Sequence, residues 1–225
     1  MIQRSVIIAA GGIGSRMNAT IPKQFLHLAD RPMILHTIER FLSFDPEIEI
    51  VLALPSSHFN TWDEICKKYG FDQQIHLVSG GEQRYHSVKN ALTQASGEII
   101  AVHDAVRPFP SDRLLKEAFE QAEISGAVIP VTQLKDSLRK ITDTDSEALN
   151  RKLYRTVQTP QVFQSEIIKR AYEQPFSPLF TDEASVVEAS GQKLKLIEGD
   201  EENIKITTPL DLQWAELIFH LKKEA

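Results

Sequence analysis

The residues with the clearest chemical signal lie in a glycine-rich segment near the start of the chain. Gly11, Gly12 and Gly14 directly follow a compact apolar run, and glycine allows the backbone to take a positive φ and to approach a ligand closely. Successive backbone N–H groups in such a turn form a concavity that binds anions and suits a triphosphate. Arg16 and Lys23 flank this turn, where two cations can embrace both ends of a polyphosphate. The segment therefore predicts a phosphate-binding loop.

Two other phosphate-binding motifs fit this segment less well. A dinucleotide-binding fingerprint has Gly or Ala at the position that Met17 occupies here. A Walker A loop, G-x-x-x-x-G-K-[S/T], is absent. A nicotinamide-dependent oxidoreductase on a Rossmann fold is thus an alternative that Met17 and the two flanking cations disfavour.

A carboxylate follows another apolar run. Asp104 comes directly after the buried strand predicted over residues 99–102, and open parallel sheets bind ligands at the carboxyl ends of their strands. A carboxylate there can coordinate Mg²⁺, a hard ion that prefers oxygen ligands. The neighbouring His103 is interpreted as a structural residue, because a phosphate nucleophile is largely deprotonated at neutral pH and needs no strong base.

These residues need elements to position them, and the apolar pattern supplies a regular alternation over the first half of the chain. Short apolar runs predict buried strands, and apolar residues at i, i+3, i+4 and i+7 predict amphipathic helices between them. The alternation predicts a Rossmann-like α/β fold, a mostly parallel sheet with helices on both faces. The predicted strands are Ser5–Ala10, Ile48–Leu54, Ile75–Val78 and Ile99–Val102, and the predicted helices are Met33–Leu42, Trp62–Tyr69, Val88–Ala95 and Leu114–Ala122.

The alternation stops at a polar and charged stretch over about residues 133–156. A loose two-residue apolar period and a turn-like centre at residues 143–146 predict an extended β-arm, with a mobile surface loop as the alternative. An isolated hairpin is marginally stable in water, so the arm needs something to pack on. We expect that to be a second copy of the chain, in a two-fold homodimer.

The last part of the chain returns to regular elements. Strands are predicted over Leu194–Ile197 and Ile204–Ile206. A final helix is predicted to begin with Thr208 as its N-cap and Pro209 in its first turn. Its predicted packing residues are Trp214, Leu217, Ile218 and Leu221.

The composition limits the class of protein. The 225 residues suit one domain, residues 1–225, and carry 25 Lys+Arg against 31 Asp+Glu, a net charge of −6. This acidic balance argues against nucleic acid as a partner. Its one cysteine, Cys66, excludes an internal disulfide, and no apolar run approaches the ~20 residues that cross a bilayer. With no signal-peptide pattern at the start, the expected location is the cytoplasm, away from membranes.

Several short motifs, taken in order, resemble those of a known family. The segment A-A-G-G-x-G-S-R-M…P-K-Q-F is similar to the signature of nucleotidyltransferases, and the remaining motifs resemble those of the cytidylyltransferases of the non-mevalonate isoprenoid pathway. The resemblance covers nearly the whole chain. The further motifs are G-G-E-Q-R-Y-H-S-V at 80–88, V-H-D-A-V-R-P at 102–108, T-P-Q at 159–161, T-D-E-A-S at 181–185 and N-I-K-I-T at 203–207.

The resemblance implies a reaction and a role for each matching residue. It implies transfer of a cytidylyl group from CTP to 2-C-methyl-D-erythritol 4-phosphate with release of pyrophosphate, with Mg²⁺ or another divalent cation held by Asp104. The implied catalytic residues are Arg16, Lys23, Arg151 and Lys205. The implied CTP-binding residues are Ala10, Gly11, Gly12, Gly14, Gly81, Glu82, Ser87 and Ala105. The implied contacts of the alcohol phosphate are Arg107, Ser137 and Thr181.

Two further alternatives stay open at this point. The motifs decide less well between methylerythritol phosphate and ribitol 5-phosphate as the acceptor of the same cytidylyl group. A non-catalytic nucleotide-binding regulator is disfavoured because a sensor has no need of Arg16, Lys23, Asp104 and Lys205 together.

Overall fold

A mainly parallel sheet runs through the centre of the molecule. The structure, a computed structural model, describes residues 2–11 and 21–224. In these ranges the strands are β1 (Arg4–Ala9), β2 (His27–Leu28), β3 (Arg31–Pro32), β4 (Glu49–Leu54), β5 (His76–Ser79), β6 (Ile99–Asp104), β7 (Ala127–Gln133), β8 (Leu138–Ile141), β9 (Ser146–Leu149), β10 (Arg155–Val157), β11 (Gln161–Gln164) and β12 (Lys195–Glu198). The central sheet has the strand order β10-β7-β11-β6-β1-β4-β5, with β12 paired to the other side of β7.

Helices cover both faces of this sheet, as the alternation predicts. Successive side chains of a strand point to opposite faces. Val6 and Ile8 of β1 therefore belong to one apolar core, and Ile7 belongs to a second core on the other face. The helices are α1 (Met33–Phe44), α2 (Phe59–Tyr69), α3 (Arg84–Leu92), α4 (Asp112–Ser125), α5 (Ser165–Ala171), α6 (Glu183–Ala189) and α7 (Pro209–Glu224).

The register of the central strands brings their carboxyl ends to one edge. β1 pairs in parallel with β6 on one side and with β4 on the other. Ala9, the last residue of β1, lies opposite Asp104 of β6 and Ala53 of β4. The loops that follow β1 and β6 therefore start side by side.

Antiparallel strands complete the sheet on the side away from β5. β11 lies between β6 and β7 and runs antiparallel to both, and β10 is also antiparallel to β7. The sequence analysis predicts neither strand, because each has four residues or fewer and lacks a distinctive apolar run. Beyond β7, β12 adds a further parallel strand at the predicted position.

The predicted β-arm contains the expected hairpin. β8 and β9 pair with each other in antiparallel register, and the backbone N–H of Thr142 donates to the carbonyl of Asp145 over 2.9 Å at the turn. The arm's larger apolar side chains are not buried, and Ile141 is 77% exposed.

The predicted strand over Ile204–Ile206 is wrong. Residues 204–206 form no strand, and their segment is held instead by a bond from the Ile206 N–H to the carbonyl of Val106 over 3.0 Å. The final helix begins at the predicted position, and its Asp211 N–H donates to the N-cap Thr208 Oγ1 over 3.2 Å.

The packing face of α7 also differs from the prediction. Trp214, Leu217 and Leu221 are each at least half exposed, although Ile218 packs as expected. The helix has apolar residues on two faces, and the face with the fully buried Ala215 is the one that lies against the core. Periodicity alone could not choose between these faces.

Between residues 2 and 224, apart from 12–20, none of the helices combines the length and the apolar character needed to cross a membrane.

Candidate active site

A cavity of about 360 Å³ opens at the carboxyl ends of β1 and β6. This edge is where an open parallel sheet binds its ligands, because the strands end there and the loops diverge. Many of the residues predicted for the site form its lining, which includes Ala10, Gly11, Lys23, Gly81, Glu82, Ser87, Asp104, Ala105 and Lys205.

Asp104 stands on the floor of this cavity with three cations around its carboxylate. Its Oδ1 lies 2.7 Å from Nη1 of Arg84, while its Oδ2 lies 2.9 Å from Nζ of Lys205 and 3.3 Å from Nε of Arg107. Its backbone N–H donates to Oγ1 of Thr159 over 3.1 Å. Both carboxylate oxygens are therefore engaged, by different partners.

The charge of Asp104 depends on these neighbours. Burial alone would raise the pKa of the Asp104 carboxyl, but the charges of Arg84, Lys205 and Arg107 outweigh burial and hold that pKa well below its usual range. The side chain is consequently ionised at every pH at which the protein would work.

Two glycine-rich loops converge on Ser87 at one wall of the cavity. The N–H of Gly81 donates to Oγ of Ser87 over 3.0 Å. A Cβ added at Gly11 would lie 3.4 Å from the same Oγ, and one added at Gly80 would lie 3.3 Å from it. A Cβ at Gly81 would lie only 2.4 Å from Cβ of His86, so a side chain there would force the wall apart. The close packing of this wall therefore leaves no space for a side chain at Gly81.

Lys23 reaches the cavity from a short 3₁₀ turn, Lys23–Phe25. The next residue, Gln24, is buried and donates from Nε2 to the carbonyl of Ala10 over 2.7 Å. This bond ties the turn to the end of β1 and fixes where Lys23 enters the site. The predicted residues Gly12, Gly14 and Arg16 lie outside the described residues.

His103 has the structural role that the sequence interpretation gives it. It is completely buried, its Nε2–H donates to the carbonyl of Arg107 over 2.8 Å, and its ring packs edge-on against Phe41. Burial lowers the pKa of His103 to about 4, so the imidazole is neutral at neutral pH. Arg107 is also buried, and its Nη1 donates to the carbonyl of Asn203 over 2.7 Å.

The other residues predicted to contact the second substrate lie apart from this group. Ser137, Arg151 and Thr181 are exposed and are not among the described residues that line the cavity. Arg151 lies beyond the hairpin, where its Nη1 donates to the carbonyl of Lys135. Within one chain, the structure brings together those residues predicted for CTP and the metal that it describes, but it does not bring these three to them.

Sequence reasoning missed two charged residues of the site. Arg84, at the start of α3, lines the cavity and contacts Asp104, and it also pairs with the fully buried Glu183 at the start of α6. Both residues stand inside motifs that the analysis quotes, at 80–88 and 181–185. Their pairing could not be read from the sequence because they are 99 residues apart.

The side chains described at this site can hold Mg²⁺ only if the substrate supplies most of the metal's ligands. Among the described residues no group of three His, Cys, Asp or Glu side chains could hold a metal ion. One buried, ionised carboxylate beside an open cavity does match Mg²⁺, which is usually bound by one or two carboxylates together with substrate phosphates.

Comparison with known proteins gives a consistent result. The sequence model of 2-C-methyl-D-erythritol 4-phosphate cytidylyltransferase matches residues 4–221. A protein of that name from Bacteroides fragilis is 46% identical over 216 residues, which are 96% of this chain and 99% of the relative.

Solved structures agree. A 4-diphosphocytidyl-2C-methyl-D-erythritol synthase from Anaerococcus prevotii superposes with a TM-score of 0.82 at 28% identity, covering 97% of this chain and 99% of that one. The bifunctional IspDF from Campylobacter jejuni superposes with a TM-score of 0.81 at 29% identity over 94% of this chain, which spans about half, 54%, of that longer protein.

Proposed function

Because the chain belongs to the 2-C-methyl-D-erythritol 4-phosphate cytidylyltransferase family, we propose that the cavity around Asp104 transfers a cytidylyl group from CTP to 2-C-methyl-D-erythritol 4-phosphate. The product is 4-diphosphocytidyl-2-C-methyl-D-erythritol, an intermediate of isoprenoid precursor biosynthesis, and pyrophosphate is released. The relatives' names favour this acceptor over ribitol 5-phosphate.

One observation carries the proposal. The ionised Asp104 lies opposite the end of β1, on the floor of a cavity with glycine loops on one wall and with Lys23 and Lys205 in its lining. A nucleoside triphosphate requires three kinds of group around one cavity: an oxygen ligand for its metal ion, a backbone that it can approach closely, and cations for its phosphates.

The reaction brings two anions together. A phosphate oxygen of the alcohol phosphate attacks the α-phosphorus of CTP, a new P–O bond forms, and the bond from the α-phosphorus to the bridging oxygen breaks so that pyrophosphate leaves. At about 4 Å and an effective dielectric of about 20, each pair of unit charges is worth roughly 4 kcal/mol. Positioning and cationic groups therefore supply most of the catalysis.

For the CTP half of the site, we assign the triphosphate to Lys23 and to the loop after β1, including Ala10, Gly11, Gly12, Gly14 and Arg16. The backbone at Gly81 and Glu82, together with Ser87 and Ala105, would contact cytosine and ribose. The presence of all four residues in the lining of the same cavity supports this assignment.

The metal would be held by Asp104. Bound there, Mg²⁺ would supply positive charge that neutralises the phosphates of CTP. Asp104 would keep its negative charge throughout, since three cations stabilise its ionised form. The neutral, buried His103 takes no part in proton transfer.

The second substrate would lie on the side of Lys205 and Arg107. We propose that a second copy of the chain completes this half and contributes Ser137 and Arg151 from its arm, and that Thr181 also contacts the alcohol phosphate. Two features support the exchange. Ser137 and Arg151 are exposed away from their own chain's cavity, and the arm region carries exposed apolar side chains for a partner to cover, namely Ile141, Leu153, Tyr154 and Val157.

A substrate comparison tests the proposed function. The protein is mixed with CTP, Mg²⁺ and either 2-C-methyl-D-erythritol 4-phosphate or ribitol 5-phosphate, and pyrophosphate release is measured. We expect fast release with the first acceptor and at most slow release with the second. Release only with ribitol 5-phosphate would reassign the acceptor, and release with neither would reject cytidylyl transfer.

A further inference from the structure

An ion pair at the cavity wall joins the partly exposed Arg84 to the buried Glu183, and the proposed binding of CTP, metal and alcohol phosphate gives this pair no role. Glu183 is completely buried, and its carboxylate accepts hydrogen bonds from two of the three guanidinium nitrogens of Arg84. Nε of Arg84 donates to Oε1 of Glu183 over 3.1 Å, and Nη2 donates to Oε2 over 2.8 Å. The remaining nitrogen, Nη1, donates to Oδ1 of Asp104 over 2.7 Å. Arg84 thus links two carboxylates, one in the core and one in the site.

Glu183 is held firmly by the elements around it. It is the first residue of α6, whose N-cap Asp182 forms a capping box with Ser185. Gln161 of β11 joins this helix start to the sheet, because its Nε2 donates to Oδ2 of Asp182 over 2.9 Å and its Oε1 accepts from the N–H of Ala184 over 2.7 Å. The carboxylate that anchors Arg84 is therefore fixed to the central sheet.

Stability alone gives little reason for such a pair. Removing the Glu183 carboxylate from water costs several kcal/mol, and apolar side chains of similar volume often stabilise a fold equally well or better. The guanidinium fork is, however, well suited to hold a second group in a fixed orientation while it binds a carboxylate in two places.

We propose that Glu183 and Arg84 are positioning residues that fix the orientation of the Asp104 carboxylate for cytidylyl transfer. This inference rests on the proposed role of Asp104 as the metal ligand. Arg84 binds Oδ1 of Asp104, so that the other carboxylate oxygen, Oδ2, points towards Lys205 and Arg107. Without Arg84, no described side chain holds Oδ1, and the carboxylate is free to rotate towards the two cations that contact Oδ2.

A double-mutant cycle between Arg84→Met and Asp104→Asn tests this coupling. If Arg84 acts through Asp104, Arg84→Met should lower kcat by about 10- to 100-fold in the wild-type background, since misplacement of about 1 Å has costs of that size. In the Asp104→Asn background the same change should lower kcat only about 2-fold, because the group that it positions is already lost. If Arg84 had a purely structural role, Arg84→Met would lower kcat by the same factor in both backgrounds, and the losses of the two single variants would multiply in the double variant.

Two further variants keep the test independent of folding. Arg84→Lys keeps the positive charge but cannot bridge both carboxylates. Compared with Arg84→Met, it should therefore bring the thermal unfolding midpoint closer to the wild-type value than it brings kcat. Glu183→Gln should lower kcat while leaving the Asp104 side chain unchanged. Arg113→Met is the matched control, because Arg113 also contacts two carboxylates, Asp200 and Glu117, but lies outside the cavity lining.

The outcomes separate this inference from the proposed function. Wild-type turnover in Asp104→Asn would reject the role of Asp104 and the inference with it. A strong loss in Asp104→Asn, combined with losses that multiply in the cycle or with unchanged kcat in Arg84→Met, would overturn the inference alone. If Arg84→Met does not fold, the cycle is run with Arg84→Lys and read in the same way.

Discussion

At the scale of single residues, the site carries more positive than negative charge in a chain whose net charge is −6. Arg84, Arg107 and Lys205 surround Asp104, and the carboxylates of Asp104 and Glu183 together leave one of these three positive charges unbalanced. Positive charge is therefore concentrated where two phosphorylated substrates must meet. The acidic surface elsewhere does not prevent this, because charges beyond about 10 Å are largely screened at 0.1 M salt.

Replacing Lys23 tests the phosphate-binding half of the site. Lys23→Ala should lower kcat by about 100-fold, the usual scale for one lost electrostatic stabiliser of a transition state. The fold should survive, because the hydrogen bond from Gln24 to Ala10 still ties the turn to the end of β1 in this variant. Steady-state kinetics beside Lys116→Ala, an exposed lysine on α4, would measure the effect. Near-normal turnover in Lys23→Ala would contradict the assignment.

Replacing Lys205 tests the second-substrate half. Lys205→Ala should raise KM for 2-C-methyl-D-erythritol 4-phosphate by about 10-fold or more, because a charge-assisted hydrogen bond to the attacking phosphate is lost. CTP affinity, measured separately by calorimetry, should stay nearly unchanged. A large loss of CTP affinity with normal use of the alcohol phosphate would show that the two halves are assigned the wrong way round.

Residues that a local pattern marks could be predicted, and residues that act through a distant partner could not. Asp104 ends a buried apolar strand, and Lys23 is close in sequence to a glycine-rich segment, so each has a local signal. Arg84 and Glu183 have no such signal, because the fold alone brings the starts of α3 and α6 together.

At the scale of elements, the edge of the sheet opposite the cavity is held by Glu49 of β4. Its carboxylate accepts hydrogen bonds from Ser5 Oγ, from the Ser96 N–H over 2.8 Å and from Ser96 Oγ over 2.9 Å. Burial alone would raise the pKa of Glu49, but these bonds outweigh burial and lower that pKa below its ordinary value. One carboxylate thus joins the starts of β1, β4 and β6.

The lowered pKa of Glu49 makes stability depend on pH. A carboxyl whose pKa is lower in the folded chain stabilises the fold above its unfolded pKa, and this contribution is lost as pH falls through the folded value. Glu49→Gln should therefore be less stable than the wild type at pH 7, and the difference should shrink below pH 4.5. Urea unfolding across this range would measure it, with Glu188→Gln, exposed on α6, as the control. A difference that grows as pH falls would contradict the account.

Element types could be predicted wherever a long apolar period exists. The parallel strands around β1 and the helices between them follow from such periods. β10 and β11 escaped prediction because their pairing is set by neighbours rather than by their own short sequences. The packing face of α7 was misjudged because tertiary contacts, which sequence does not show, chose the side with Ala215.

At the scale of the whole molecule, the proposed exchange of arms between two chains predicts a result that sites built within one chain could not give. Asp104→Asn removes a group of a chain's own cavity, and Arg151→Ala removes a group that would serve the partner's cavity. Mixed dimers of the two inactive variants would contain one intact site. With random exchange of subunits, the mixture should recover about a quarter of wild-type activity, as expected for a two-fold dimer.

A dimer without arm exchange and a monomeric enzyme would each give a different result. If each chain completed its own site, both sites of a mixed dimer would be defective and mixing would restore nothing. Sedimentation that shows only monomers at micromolar concentration, together with full activity, would reject the arm exchange while leaving the assignment of the CTP half intact.

The response of the reaction to Mg²⁺ tests most directly whether the cavity at Asp104 is the site of transfer. CTP and 2-C-methyl-D-erythritol 4-phosphate are incubated with the wild type or with Asp104→Asn across a Mg²⁺ titration, and ³¹P NMR follows the new diphosphate and pyrophosphate. The account predicts that Asp104→Asn is slower by about 100-fold or more and needs more Mg²⁺ for half-maximal rate, because the charge that holds the metal is gone. A variant with the wild-type rate and an unchanged Mg²⁺ titration would contradict it.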